Sequence, residues 1–136
     1  MRVFLDTNVL ASAFATRGLC ADVLREVLAN EDLLVSEVVL EELLDVLTDK
    51  FGLPARSAAE AVAIVRIDST IAEPLTRVKA KVPDPDDEPI LSAALSQKAD
   101  VFVTGDKALL GLRKLGRMHI VSPRGFWERL QKRPKR

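Results

Sequence analysis

Apolar and polar positions along this chain follow two rhythms, short β-type runs and longer helical stripes, and the two alternate. Arg2–Leu5 is a short β-type run that ends at Asp6. Thr7 or Asn8 can then cap a helix through about Ala15, and Gly18 breaks it. Leu19–Asn30 repeats apolar residues at Leu19, Val23, Val27 and Leu28, the spacing of an amphipathic helix. Asp32–Val35 is a second strand. Glu37–Lys50 reads as a helix striped by Leu40, Leu43, Leu44 and Leu47, closed by Gly52 and Pro54. Ala55–Ile67 is a third substantial helix and Thr70–Pro74 a short strand. The stretch "VPDPDDEPILSAAL", residues 82–95, leads from an acid cluster into a helix from Pro89 to about Lys98. Val101–Thr104 is a β-branched and aromatic run stopped by Gly105-Asp106, and a short helical piece follows around Ala108–Leu112. Met118–Val121 is a last strand and Arg124–Lys132 a last helix, before a frayed "KRPKR" end.

Strands alternating with helices imply parallel β-α-β units, here an α/β class chain built as a three-layer α/β/α sandwich around a short central parallel sheet. No linker or repeat divides the sequence, so residues 1–132 are expected to form one domain and 133–136 a basic tail. Right-handed crossovers place the C-terminal ends of all parallel strands on one edge, where ligands of open parallel sheets bind. The residues directly after each strand therefore matter most.

Composition narrows the class. With 48% hydrophobic and 29% charged residues the chain is globular, and no apolar stretch approaches the roughly 20 residues that span a bilayer. The early apolar run is interrupted by Asp6 and Asn8, unlike a signal peptide, and the single cysteine suits a reducing compartment. A cytoplasmic location without membrane contact is expected. One Cys and one His exclude a Cys/His zinc cluster. The net charge of zero hides an asymmetry. Residues 1–106 carry 10 Lys/Arg against 19 Asp/Glu, whereas residues 107–136 carry 10 against the lone Glu128. An acidic body with a basic end fits a polyanion-binding surface, although a basic tail often only solubilises.

Asp6 follows the first strand and Asp106 follows the strand at 101–104, while Asp87 opens the helix that leads into that same strand. Each alone has an ordinary explanation as a helix cap or turn residue. Their convergence on one edge does not, because unpaired carboxylates a few ångströms apart raise one another's pKa. A divalent cation removes that conflict, and an oxygen-only donor set points to Mg²⁺ or Mn²⁺.

The segments "FLDTNVL", "VLEELLDVL", "DPDDEPILSAAL" and "VFVTGDKALL", in this order and spacing, resemble the PIN domain family of nucleases, and within it the toxin-like, VapC-type prokaryotic proteins. The resemblance extends to the closing "VSPRGFWERL". It implies metal-dependent hydrolysis of RNA phosphodiester bonds, with Asp6, Glu42, Asp87 and Asp106 as catalytic acids and metal ligands. It also implies a cognate antitoxin as partner and a homodimer. Glu42 competes with its neighbour Glu41; Glu42 lies nearer Val39 and Val46 at the margin of the apolar face, and Glu41 points further into solvent. Thr104 matches the small polar residue beside the last acid, Asn8 is placed to orient the first, and Asp84 and Asp86 are supporting or capping acids. Lys107, Arg113, Lys114 and Arg124 are the expected RNA contacts, mostly to backbone, since aromatic residues are few. His119 reads as a core or surface residue.

Two other readings stand beside this one. A phosphatase with an aspartate nucleophile also begins with a strand ending in Asp, but needs a second acid two positions later, where this chain has Asn8. A catalytically inactive PIN-like module that binds RNA or protein is the other.

Overall fold

The most uniformly apolar strand is the centre of the molecule. In β1 (Arg2–Leu5), Val3, Phe4 and Leu5 are fully buried, as expected of a strand covered on both faces. The computed structural model describes residues 1–73 and 82–132. Around β1 stand β2 (Asp32–Ser36), β3 (Thr70–Ala72), β4 (Val101–Val103), β5 (Lys114–Leu115) and β6 (Met118–Val121). They form a six-stranded sheet in the order β3-β2-β1-β4-β6-β5. Every pairing is parallel except β5 with β6. Val3 is in register with Leu33 on one side and Val101 on the other. Across the central pair Phe4 stacks on Phe102 with ring centroids 5.2 Å apart.

The helices are α1 (Thr7–Ala15), α2 (Leu19–Asn30), α3 (Glu37–Asp45), α4 (Ala55–Ile67), α5 (Glu88–Ser96), α6 (Lys107–Leu110) and α7 (Pro123–Lys132). α2 packs on β2 and α7, whereas α5 packs on β2 and β3. The α/β architecture expected from the alternating pattern is the one observed, with an antiparallel edge added.

Topology fixes where function can sit. From β1 the chain steps outward to β2 and then β3, whereas after β4 it goes the other way, to the edge strand β5 and back to β6 beside β4. The winding reverses between β1 and β4, which is the crevice where open α/β sheets hold ligands.

Several local readings are corrected. The cap of α1 is Asp6, not Thr7 or Asn8: its carbonyl accepts from Val9 and Leu10 N–H at 3.1 Å, and its carboxylate accepts from Thr7 N–H. The helix predicted over Glu37–Lys50 is α-helical only to Asp45. It widens into a π-turn at Val46–Lys50, where Phe51 N–H reaches back to the Val46 carbonyl. Leu40, Leu43 and Leu47 are buried as expected, but Leu44, one step round from Leu43, is 39% exposed. A 3₁₀ turn at Pro85–Asp87, capped by Asp84, precedes α5. That helix stops before Lys98, which takes the left-handed conformation (φ 56°) while Ala99 N–H bonds the Ala94 carbonyl. Strand β5 is absent from the sequence reading. Its two residues carry no period, and the one clue is Gly116 (φ 60°), first residue of the two-residue turn into β6.

Pro74 and the basic tail at 133–136 lie outside the described residues. Among the described residues no helix is long and apolar enough to cross a membrane.

Candidate active site

Strands β1 and β4 are neighbours and run parallel, so Asp6 and Asp106 leave the sheet at the same edge, on either side of the winding reversal. The sheet ladder continues one step past each strand. Asp6 N–H donates to the Val103 carbonyl at 3.0 Å, and Thr104 N–H donates to the Val121 carbonyl at 3.0 Å. This turns the fully buried Thr104 hydroxyl toward Asp6.

A hydrogen-bonded series then connects residues far apart in sequence. The Thr104 hydroxyl donates to Asp6 Oδ2 at 2.8 Å and accepts from Asp106 N–H at 3.0 Å. Asp6 Oδ1 accepts from Thr7 N–H at 2.8 Å. The Thr7 hydroxyl donates to Glu42 Oε2 at 2.7 Å. Asp106 Oδ1 caps α6 by accepting from Ala108 and Leu109 N–H at 2.8 and 3.3 Å. Of the glutamate pair on α3, Glu42 is half-buried and bonded into this series, whereas Glu41 is exposed.

The electrostatics show strain of charge. Burial raises the pKa of Asp6, against which the Thr104 hydroxyl and Thr7 N–H work, while Glu42 and Asp106 push it further up. Half-buried Asp87 is pushed to about 6, chiefly by desolvation and then by the charges of Asp6, Asp106, Asp84 and Glu42. One carboxylate thus senses all the others. Among the described residues no three potential ligands stand close enough to form a finished ion cage. A Coulomb field reaches well beyond coordination distance, so the two observations are compatible. Oxygen donors alone, two of them holding raised pKa values, suit a hard divalent cation such as Mg²⁺ or Mn²⁺.

The supporting residues divide. Thr104 bonds Asp6 through its hydroxyl and accepts from Asp106 N–H. Asn8 does not touch Asp6; its Oδ1 accepts from Gly105 N–H at 3.2 Å and ties α1 to the loop that carries Asp106. Asp84 caps the 3₁₀ turn by accepting from Asp86 N–H at 2.9 Å, and Asp86 is exposed. Lys107 and Arg124 lie near the acid edge, directly after Asp106 and just after β6. Arg113 and Lys114 descend away from it. Lys114 is in register with His119, and His119 with Val101, at the start of β4. His119 is likewise remote from the acids, with its Nδ1 3.2 Å from an Arg129 guanidinium nitrogen. The residue that sequence reasoning missed is Thr7, which reads as a helix cap and is instead the link between Asp6 and Glu42.

With this geometry in view, comparisons with known proteins give two findings. A family model described as PIN domain matches residues 2–108. The fold is similar to a chain in the crystal structure of VapBC2 from Rickettsia felis bound to a DNA fragment from their promoter. The TM-score is 0.65 and the identity 18%, over 90% of this chain and 98% of that one. At that identity the likeness is one of fold. No curated protein matches the chain in sequence.

Proposed function

The chain belongs to the PIN domain family, and from that premise we propose that it is a Mg²⁺- or Mn²⁺-dependent endoribonuclease of the toxin-like, VapC-type group. It hydrolyses RNA phosphodiester bonds, and its acids are Asp6, Glu42, Asp87 and Asp106. The observation that carries this reading is the hydrogen-bonded series at the β1–β4 reversal, in which Thr104 joins Asp6 to the Asp106 backbone and Thr7 joins Asp6 to Glu42.

Asp6, fixed through both carboxylate oxygens, would be the rigid ligand of the cation, with Glu42, Asp106 and Asp87 as its further donors. When bound, the cation supplies a water of lowered pKa and positive charge for the phosphoryl oxygens. Thr104 keeps Asp6 and the Asp106 loop in fixed relation. Lys107 and Arg124 offset the repulsion between the acid edge and the RNA backbone, with Arg113 and Lys114 extending the basic surface further along. Residues 1–132 act as one nuclease unit, and the segment at 133–136 adds non-specific attraction. The likeness to a VapBC2 chain supports a cognate antitoxin as partner. A homodimer in the cytoplasm fits the same group.

The test is direct. Purified protein is incubated with a labelled single-stranded RNA in Mn²⁺, in Mg²⁺ and in EDTA. Cleavage should require the ion. RNA that is bound but left intact in all three conditions would favour an inactive binding module. Release of inorganic phosphate from a small phosphomonoester without RNA cleavage would favour the phosphatase.

A further inference from the structure

Thr7 occupies the first position of α1 and is only 6% exposed, so its hydroxyl needs a partner inside the protein. A helical threonine normally satisfies itself by bonding a carbonyl three or four residues back. Here those residues are Val3 and Phe4, which belong to β1 and spend their backbone groups on the sheet. The hydroxyl instead crosses to α3 and donates to Glu42 Oε2 at 2.7 Å, 35 positions away. A short O–H···O⁻ contact of this kind is among the stronger hydrogen bonds in proteins. The N–H of the same residue donates to Asp6 Oδ1 at 2.8 Å. Two carboxylates that repel each other are therefore both held by donors of one residue, and the distance between those donors is set by covalent geometry.

We infer that Thr7 is a positioning residue, whose hydroxyl fixes the Glu42 carboxylate beside Asp6 so that both face the same divalent cation. The inference rests on the nuclease reading above. Glu42 needs such a device more than the other acids do. Asp6 and Asp106 are short side chains anchored at strand ends, with backbone N–H groups bonded to their carboxylates. Glu42 sits on the margin of α3 with a longer side chain, and its carboxylate is held by the Thr7 hydroxyl. Without the hydroxyl, repulsion from Asp6 would turn Glu42 toward solvent.

Valine keeps the β-branch and removes the donor, and serine keeps the donor. Mn²⁺ affinity is read by calorimetry and RNA cleavage by steady-state kinetics, for wild type, Thr7→Val, Thr7→Ser, Glu42→Gln and the double variant Thr7→Val/Glu42→Gln. Thr7→Val should weaken Mn²⁺ binding about 10–100-fold, the range for losing a group that orients a ligand, and lower kcat while leaving KM for RNA within about twofold. Thr7→Ser should restore most of both. In the Glu42→Gln background, Thr7→Val should cost nothing further. Unchanged Mn²⁺ affinity in Thr7→Val, equal damage from serine and valine, or independent losses in the double variant would overturn the inference. A drop in melting temperature without a change in affinity would also overturn it, since Thr7 would then only staple α1 to α3. Failure of the wild type to bind Mn²⁺ is a different result and removes the nuclease reading itself.

Discussion

Asp87→Asn should make the metal-free protein more stable at neutral pH. The Asp87 carboxyl has a pKa of about 6 in the fold against an ordinary value of 3.8. The fold therefore holds this proton more tightly than the unfolded chain does. Stability from this group is present at low pH and is lost as pH rises between about 4 and 6, so above pH 6 the charged side chain opposes folding. About two units correspond to a ceiling of about 3 kcal/mol. Asp87 is only half-buried, and solvent screening brings this to about 1 kcal/mol. The nearby helix start favours its charge by about 0.5 kcal/mol, and no side-chain cap is lost on substitution. The net gain is about 0.5 kcal/mol, or roughly 2 °C in Tm for a chain of this size. Thermal melts in EDTA at pH 7.5 and pH 4.5 check it: Asp87→Asn should melt higher than wild type at the first and equally at the second. Saturating Mn²⁺ should reverse the order at pH 7.5, because wild type gains about 2.7 kcal/mol at a hundredfold excess over Kd while the variant lacks a ligand. A variant that melts below wild type in EDTA at pH 7.5, or a difference independent of pH, refutes the reasoning.

Two further outcomes test the site and its surroundings. Glu42→Gln should reduce RNA cleavage by about 10–100-fold and Glu41→Gln by less than about twofold, measured as kcat/KM, since only Glu42 is half-buried and hydrogen-bonded to Thr7. Lys107→Ala combined with Arg124→Ala should reduce the slope of log affinity against log salt by about 1.4 for single-stranded RNA, at roughly 0.7 per phosphate contact, while Arg113→Ala combined with Lys114→Ala should change it less.

The sequence conveys the fold well where an element is long or fully apolar. β1, α2, α4 and β6 have the bounds their patterns suggest, because a buried strand must be uniformly apolar and a surface helix must carry a stripe. It conveys the ends poorly. The π-turn after Asp45 and the left-handed Lys98 depend on what the neighbouring elements leave room for, and no residue type announces them. Asp6 and Asp106 are legible because strand ends of a parallel sheet share an edge. The preference for Glu42 over Glu41 was available from helical phase. The partner of Asn8 was not, since Gly105 lies 97 positions away and only tertiary pairing brings its N–H into reach. Thr7 was hidden for the same reason: beside an aspartate at a helix start, a threonine reads as local chemistry.

The pairing of β1 with β4 also governs when the acid edge comes into existence. Asp6 and Thr104 are 98 positions apart, and β1 cannot complete its ladder until β4 has been made. At a synthesis rate of about 5–20 residues per second, roughly 5–20 s separate the two on the ribosome. Through that interval the nascent chain carries Asp6 without the Thr104 hydroxyl that will hold its second oxygen, so a product stalled or released before β4 lacks the assembled edge. Closure over so long a loop is also slow to nucleate. Assembly of the acid edge is thereby tied to synthesis of β4.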